Sequence, residues 1–488
     1  NRCSRCARMG VHDGPEYAVN SIAYHQVDFL LPVHRFNIRF SYVTKKGLPF
    51  MREFVLRLVH IAPMMPAEVA AYFGLSKLEL DEAVGDLVSK GDLQFTDSGH
   101  IDLTNKARGY FVGLGSTPQV SALLESGGAF AFELAGFNCV GRKRTHEKWK
   151  MGLKLEVPNE TVASSEKLAK SKFQKDFYQI QEKGYWQHRS QGEKPERPSI
   201  YTMESVRKIG QEPLRLTSNF SIGQEGIPVE REDFDLLDDS SSVQDLVTDA
   251  VIRAQKPVNF TQIAKAMSEL GDQNTKTLFN SHSVDISKVM LGQQSGQMDS
   301  GKWVPFLGPV YAKDNWKLIR EYLDPKLSLI KNNKQEARDL VWIAPSDSFW
   351  GKSHRTSATY DSLVDAAVTK GKKPIRLYNP KLYVPVQDAS DRLAIGSWKQ
   401  DFSGNHTDVY GLVEGFMDGN VEVMLLPGHL AVICYHISRP ESLPVSLPVG
   451  FITTDKAKVG VVRALVEGYV GGVVSFDNPR ALGPLSKL

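Results

Sequence analysis

Between residues 51 and 110 the hydrophobic positions follow a helical period three times and then alternate as in strands. The helical stretches predict helices at residues 51–60, at residues 67–73 and from Ser76 onward. Ser76 and Glu79 match a capping box, in which each side chain accepts the backbone N–H of the other residue, and Gly91 suits a left-handed helix end. The alternating stretches predict a β-hairpin at residues 92–96 and 100–104.

This order of three helices and a hairpin resembles a winged helix-turn-helix, which implies a module whose third helix enters the major groove of DNA. The exposed positions of the third helix carry more acidic than basic residues, namely Glu79, Asp81, Glu82 and Asp86 against Lys77 and Lys90. DNA affinity comes mostly from neutralising phosphates. We therefore expect this module to pack on another domain or a protein partner rather than to read a groove with this helix.

The segments on either side of this module have different patterns. Residues 24–33 and 36–43 are rich in β-branched and aromatic residues, which predicts strands or an extended arm. After a break at residues 113–117, the spacing of Val120, Leu123 and Leu124 predicts a helix.

From Cys139 the chain becomes basic and aromatic. Between Arg142 and Arg189 there are twelve Lys or Arg and six Asp or Glu, an excess of six positive charges, with aromatic residues among them. Basic residues bind a phosphate backbone and aromatic residues stack on exposed bases. The nucleic-acid-binding candidates are Arg142, Lys143, Arg144, Lys148, Trp149, Lys150, Lys154, Lys172 and Lys175. The alternative is a solvated, partly mobile insertion whose lysines only maintain solubility.

The middle of the chain contains two connectors and a second helical region. Residues 191–198 have the composition of a linker, and residues 230–239 are an acidic connector. Residues 243–255 and 260–270 have amphipathic helical periods, and residues 302–311 predict a pair of strands around Pro305 and Pro309. Together they predict a second, divergent winged-helix-like module.

From Arg338 the pattern changes to alternating strands and helices, with strands predicted at residues 340–345 and 375–378 and helices at 360–369 and 410–417. The following Lys381, Asp388 and Gly396-Ser397 resemble part of the phospholipase D signature, which is His-x-Lys, Asp and then Gly-Ser. The resemblance implies a pseudo-symmetric α/β domain that cleaves phosphodiesters with two histidines and two lysines.

The signature is incomplete in this chain. Asn379 stands at the nucleophilic His position, and His429 in the second half has no Lys two residues later. The chemistry needs one His to attack phosphorus and another to protonate the leaving oxygen. We therefore expect no catalytic residues, with Lys381 and Ser397 as candidates for phosphate binding. If the chain is an enzyme, His429 and Lys381 are the candidates, and the other scattered histidines are expected to be structural.

The composition limits the remaining possibilities. With 41% hydrophobic and 24% charged residues and a net charge of +3, the 488-residue chain has no global field that favours nucleic acid. No apolar run is long enough for a membrane span and no secretory pattern is found, so we expect a cytoplasmic protein without membrane contact. Cys3 and Cys6 have only His12 as a nearby third ligand, so we expect neither a metal nor another cofactor.

The sequence thus predicts a multi-domain α/β protein in five segments: an arm (1–47), a winged helix domain (48–138), a basic-aromatic and acidic segment (139–242), a second winged-helix-like domain (243–335) and a degenerate phospholipase D-like domain (336–488). We expect a non-catalytic adaptor that binds DNA and protein partners, similar to components of bacterial DNA-processing or anti-phage systems. The alternatives are a phospholipase D-type nuclease and a pure protein scaffold.

Overall fold

The computed structural model describes most of the chain: residues 21–47, 50–113, 118–187, 198–223, 225–231, 234, 237, 241–279, 283–298, 302–334, 336–370, 373–403, 408–471 and 480–488. The expectations for Cys3, Cys6 and His12, for nearly all of the 191–198 linker and for part of the acidic connector lie outside these residues.

The described residues form a mixed α/β structure with several sheets. The strands are β1 (Ile22–Gly47), β2 (Leu93–Phe95), β3 (Ile101–Leu103), β4 (Gln119–Glu133), β5 (Cys139–Gly141), β6 (Leu153–Lys154), β7 (Ser199–Ile222), β8 (Val304–Leu307), β9 (Arg338–Ile343), β10 (Tyr378–Val386), β11 (Val409–Val413), β12 (Val421–Leu426), β13 (Leu430–Ile437), β14 (Leu447–Thr453) and β15 (Ala481–Pro484).

The α-helices are α1 (Phe50–Ile61), α2 (Pro66–Phe73), α3 (Lys77–Ser89), α4 (Asn105–Arg108), α5 (Asn159–Ala163), α6 (Ser165–Lys175), α7 (Phe177–Glu182), α8 (Ser241–Ala254), α9 (Phe260–Glu269), α10 (Ile286–Met298), α11 (Lys313–Asn332), α12 (His354–Ala366), α13 (Arg392–Asp401) and α14 (Lys456–Val470). Among the described residues, no helix combines the length and the apolar character that crossing a membrane requires.

The chain divides into two compact units. The small unit contains Val33–Arg144 and Pro158–Gln211, and the large unit contains Asn1–Pro32, Thr145–Val157 and Glu212–Leu488. The segments of each unit are therefore not contiguous in sequence.

The small unit contains the predicted helices and hairpin, which the structure confirms at α1, α2, α3, β2 and β3. We call residues 50–108 the helix–hairpin module. Its core is formed by residues from all of these elements, including Val55, Val69, Leu80, Leu87 and Ile101. At the start of α3 the Glu79 carboxylate accepts the Ser76 N–H at 2.9 Å, which satisfies a backbone donor that the helix leaves free.

The helix predicted around Val120, Leu123 and Leu124 is wrong, because this segment is the strand β4. It pairs antiparallel with β1 without interruption from Val33↔Glu133 to Gly47↔Gln119. The spacing of three apolar residues favours a helix locally, but a long cross-strand ladder supplies hydrogen bonds that the local period cannot reveal. In this unit β5, β4 and β1 lie in that order, and β7 also pairs with β1.

The large unit is built on an eight-stranded sheet with the order β15-β11-β10-β9-β12-β13-β14-β8. β9, β10 and β11 are parallel, whereas β12, β13, β14 and β8 form an antiparallel series. Side chains of α11 and α12, such as Ile319, Leu323 and Tyr360, share one hydrophobic core with Trp342 on β9.

Two expectations for this region are corrected. Residues 409–413 form the strand β11, paired with β10, rather than the start of a helix at 410–417. β8 pairs with β14 and is the edge strand of the large sheet, so it is not half of a hairpin belonging to a second winged-helix-like module. The helices α8 and α9 occur where the amphipathic periods predict them.

A buried histidine links β1 to α6 and β7 within the small unit. His34 is fully buried, its Nδ1 lies 3.1 Å from the Ser165 hydroxyl, and Lys208 Nζ lies 2.8 Å from its Nε2. Burial and the positive charge of Lys208 lower the pKa of His34 to about 4. The ring is therefore neutral at pH 7 and accepts a hydrogen bond from the lysine.

This lowered pKa predicts a loss of stability in mild acid. Below pH 6.5 the unfolded chain takes up a proton on His34 that the folded unit does not, so the contribution of His34 to the free energy of unfolding falls by about 2 kcal/mol between pH 7 and pH 5. We expect His34→Gln to reduce this pH dependence in urea unfolding. The control is His146→Gln, a substitution at an exposed position, which should keep the wild-type pH dependence of stability. An unchanged pH dependence in His34→Gln would contradict the lowered pKa of His34.

Candidate functional site

A cluster of polar side chains is buried in the large sheet where β12 meets β13. Glu422 and Cys434 are cross-strand partners, and His436 lies two residues after Cys434 on the same strand. Because side chains alternate along a strand, Cys434 and His436 point to one face, and Glu422 joins them there as the partner of Cys434. All three are at most 2% exposed.

His436 lies between two carboxylates. Its Nδ1 is 2.8 Å from Oδ2 of Asp347, which follows β9, and its Nε2 is 3.3 Å from Oε2 of Glu422. The Ser446 hydroxyl also donates to Asp347 Oδ2, at 2.5 Å. Both nitrogens of the imidazole therefore face acceptors, which favours its protonated form.

Glu422 has a full set of donors although it is completely buried. The indole N–H groups of Trp342 and Trp350 donate to its Oε1 at 2.9 and 2.8 Å, and the backbone N–H of Val310 donates to its Oε2 at 3.2 Å. These contacts offset part of the cost of removing a carboxylate from water.

The buried charges shift one another's pKa values. Burial raises the pKa of Asp347, but the hydrogen bond and charge of His436 outweigh it and bring this pKa to about 2. Burial lowers the pKa of His436, but hydrogen bonds involving Asp347, Cys434 and Glu422 raise it well above its ordinary value. For the Cys434 thiol, burial dominates and raises the pKa to about 11. The arrangement is an imidazolium between two carboxylates, beside a protonated thiol.

The cluster borders an open cleft of about 360 Å³, lined by Asp347, His436, Ser446, Asn259, Asn420 and others. The amide of Asn259 donates to Asn420 Oδ1 at 2.7 Å and to the His436 carbonyl at 2.8 Å. Since both ring nitrogens of His436 contact carboxylates and Ser446 donates to Asp347, this arrangement has no ring nitrogen left to activate a nucleophile.

Glu422, Cys434 and His436 each offer a donor atom of a kind that binds metals, and these atoms lie within 4.8 Å of one another. Sequence reasoning misses this group because it expects the scattered histidines, His436 among them, to be structural. The detectable signal is Cys-x-His within the apolar run 430–437, since in a strand that spacing puts both side chains on one face.

The predicted nucleic-acid-binding residues fall in two units. Five belong to the small unit, namely Arg142, Lys143, Arg144, Lys172 and Lys175, and four to the large unit, namely Lys148, Trp149, Lys150 and Lys154. Arg142, Lys143, Arg144, Lys148, Lys154 and Lys175 are exposed, whereas Trp149, Lys150 and Lys172 are partly buried. Lys172 forms an ion pair with Asp176 at 3.3 Å.

Three aromatic residues of the basic segment are core residues rather than stacking platforms. Phe173, Phe177 and Trp186 are at most 4% exposed. Their rings pack on Phe40 of β1, with centroid distances of 5.1 to 5.5 Å. These three rings therefore cannot stack on nucleic-acid bases, which corrects the expectation from their interleaving with lysines.

The residues that resemble the phospholipase D signature do not form a shared site among the described contacts. Lys381 on β10 forms an ion pair with Asp339 at 2.7 Å, and Ser397 is an exposed residue within α13. His429 lies in the turn between β12 and β13, where burial and the cations Arg338 and Lys326 lower its pKa. None of the described contacts joins His429 to Lys381.

No model of a known protein family matches this chain, and no curated protein matches it in sequence.

The contacts of Glu422 predict that its charge is essential for the stability of the large unit. We expect Glu422→Gln to lower the free energy of unfolding by about 3–5 kcal/mol, because the charge on His436 then loses one of its two buried counter-ions. The exposed Glu414→Gln should change it by no more than about 0.5 kcal/mol. Urea unfolding followed by tryptophan fluorescence measures both, and equal stability of the two variants would refute the role assigned to Glu422.

Proposed function

We propose that this protein is a non-catalytic adaptor that binds DNA through basic residues of the small unit and a protein partner through its helix–hairpin module. It would act as a subunit of a larger nucleic-acid-processing complex. The observation that carries the proposal is the row of lysines on α6, a helix whose opposite side is anchored in the aromatic core.

The lysines of α6 are displayed on a fixed element. Lys167, Lys170 and Lys175 are exposed, whereas Ala169 and Phe173 are fully buried. At about 100° per residue, the three lysines fall on one side of the helix. No acidic residue interrupts the sequence between Lys167 and Lys175. A packed helix argues against the alternative of a mobile, merely solubilising insertion.

A second basic run in the same unit also has a fixed backbone. The guanidinium of Arg35 donates to the carbonyl of Arg142 at 2.8 Å and to that of Lys143 at 2.9 Å. Arg142 in turn lies over the ring of Phe130, 5.2 Å from its centroid. Exposed cations on a held backbone lose less conformational freedom when they contact phosphates.

The helix–hairpin module favours a protein partner. Its elements have the order of a winged helix, but the exposed side of α3 carries the carboxylates of Glu79, Asp81 and Glu82. Large apolar side chains of the module are also exposed, among them Tyr72 at 70% and Leu78 at 79%. Acidic and apolar side chains suit a protein surface better than a phosphate backbone.

The C-terminal region supports a binding role rather than catalysis. We interpret it as a degenerate phospholipase D-like domain in which Asn379 replaces the nucleophile. Lys381 is paired with Asp339, so its charge is partly neutralised and it is a weaker phosphate ligand than a free lysine. The missing nucleophile and the paired lysine are both consistent with a domain that binds other macromolecules without cleaving phosphodiesters.

The proposal predicts salt-sensitive DNA binding that depends on α6. We assign six phosphate contacts to the protein, three from α6 and three from Arg142–Arg144. With six contacts, raising the salt concentration from 50 to 200 mM should weaken DNA binding about 10³-fold. We expect Lys167→Gln, Lys170→Gln and Lys175→Gln together to weaken binding at low salt and to lower the slope of log affinity against log salt by about 3. Fluorescence anisotropy with double- and single-stranded probes measures both quantities.

The matched control neutralises three exposed lysines on another helix, Lys313, Lys317 and Lys331 of α11, and should retain the wild-type slope. An equal loss in both triple variants would mean that only overall charge matters. No binding by the wild-type protein at low salt would favour the pure scaffold, and cleavage of the probe that His429→Ala abolishes would favour the nuclease.

A further inference from the structure

We propose that Glu422, Cys434 and His436 bind a divalent transition-metal ion of the zinc class. These residues supply a carboxylate, a thiol and an imidazole, which are the ligand types that zinc prefers. Their donor atoms already lie within 4.8 Å of one another, at adjacent positions of two paired strands. A sheet holds such ligands rigidly, so binding would need little rearrangement.

The distances agree with tetrahedral coordination. His436 Nε2 and Glu422 Oε2 are 3.3 Å apart. Two ligands at about 2.0 Å from a tetrahedral metal are separated by about 3.3 Å. This separation is long for a charge-assisted hydrogen bond, for which about 2.7–2.9 Å is usual. The pair therefore fits a shared ion at least as well as it fits a direct hydrogen bond.

The surrounding contacts are those that orient metal ligands. Asp347 accepts from Nδ1 of His436 at 2.8 Å, which directs Nε2 towards Glu422. Trp342 and Trp350 donate to Oε1 of Glu422, and Oε2, which also accepts the Val310 N–H, is the oxygen that contacts the imidazole. Carboxylate–histidine–metal arrangements with hydrogen-bonded carboxylate ligands are typical of protein metal sites.

A further histidine, His25 on β1, is also buried in the large unit. It is 2% exposed, and neither of its ring nitrogens meets the geometry of a hydrogen bond with any described residue. Burial lowers the pKa of its imidazole to about 4, and the charges of Asp347, His436 and Glu422 act on it more weakly. His25 is not one of the three residues whose donor atoms lie within 4.8 Å of one another, so the proposed site consists of Glu422, Cys434 and His436.

Metal binding at this site releases protons. The ion replaces the proton on Nε2 of His436 and the thiol proton of Cys434, and both protons leave to solvent while the Nδ1–H bond to Asp347 is kept. No oxidation or reduction takes place. The affinity should therefore rise with pH, as it does for other sites that contain a thiolate and a histidine.

The test uses Co²⁺ as a spectroscopic substitute for Zn²⁺ in the full chain carrying Cys3→Ser and Cys6→Ser, so that Cys139 and Cys434 are the remaining cysteines. We expect about one Co²⁺ per chain, a thiolate-to-cobalt charge-transfer band, and displacement of the band by Zn²⁺. Adding Cys434→Ser should abolish the band, whereas adding the control Cys139→Ser should leave it unchanged.

A positioning variant separates metal binding from folding. Asp347→Asn is expected to weaken Co²⁺ binding roughly 10- to 100-fold, because the imidazole of His436 loses its carboxylate partner. Circular dichroism checks that the fold is retained. The proposal is overturned if the Cys3→Ser, Cys6→Ser protein binds no Co²⁺, or if Co²⁺ binds without a thiolate band, because the cluster is then only a buried ion-pair network.

Discussion

The completely buried carboxylate of Glu422 is the constraint on which the large unit depends. Leaving such a group without partners costs several kcal/mol, so every donor around it must be in place when the core closes. Those donors are Val310, Trp342, Trp350 and His436, which lie 112, 80, 72 and 14 residues from Glu422 in the sequence. One side chain thus couples the position of β9, the loop after it, and the β12–β13 pair.

In the small unit, buried aromatic rings fix α6 in an orientation that leaves three of its lysines exposed. Phe173 packs against Phe40 and Phe130, with ring centroids 5.1 and 4.9 Å apart, and this contact orients α6. Lys167, Lys170 and Lys175 of this helix are exposed, whereas Lys172 is paired with Asp176. In the sequence, the mixture of aromatic residues and lysines resembles a nucleic-acid-binding pattern. In the structure, it is the amphipathic pattern of a surface helix.

The sequence predicts local structure better than it predicts partners. In the helix–hairpin module the elements were found correctly because caps, glycine ends and turn residues are coded within a few positions, as at Ser76 and Gly91. β4 and β11 were mistaken for helices because their stability comes from distant strands. Of the buried cluster, only the Cys-x-His spacing of Cys434 and His436 is visible in the sequence, since Glu422 and His436 meet Asp347 and Trp350 only through the sheet topology.

The burial of Cys434 gives the large unit an internal reporter. Its sulfur is inaccessible to solvent and its pKa is raised, so a thiol-alkylating reagent can reach it only during excursions that part β13 from its neighbours. The rate of alkylation at Cys434 therefore measures how often the sheet opens at β13. A ligand or partner that makes these openings rarer lowers the alkylation rate of Cys434, even when it binds at a distance from this residue.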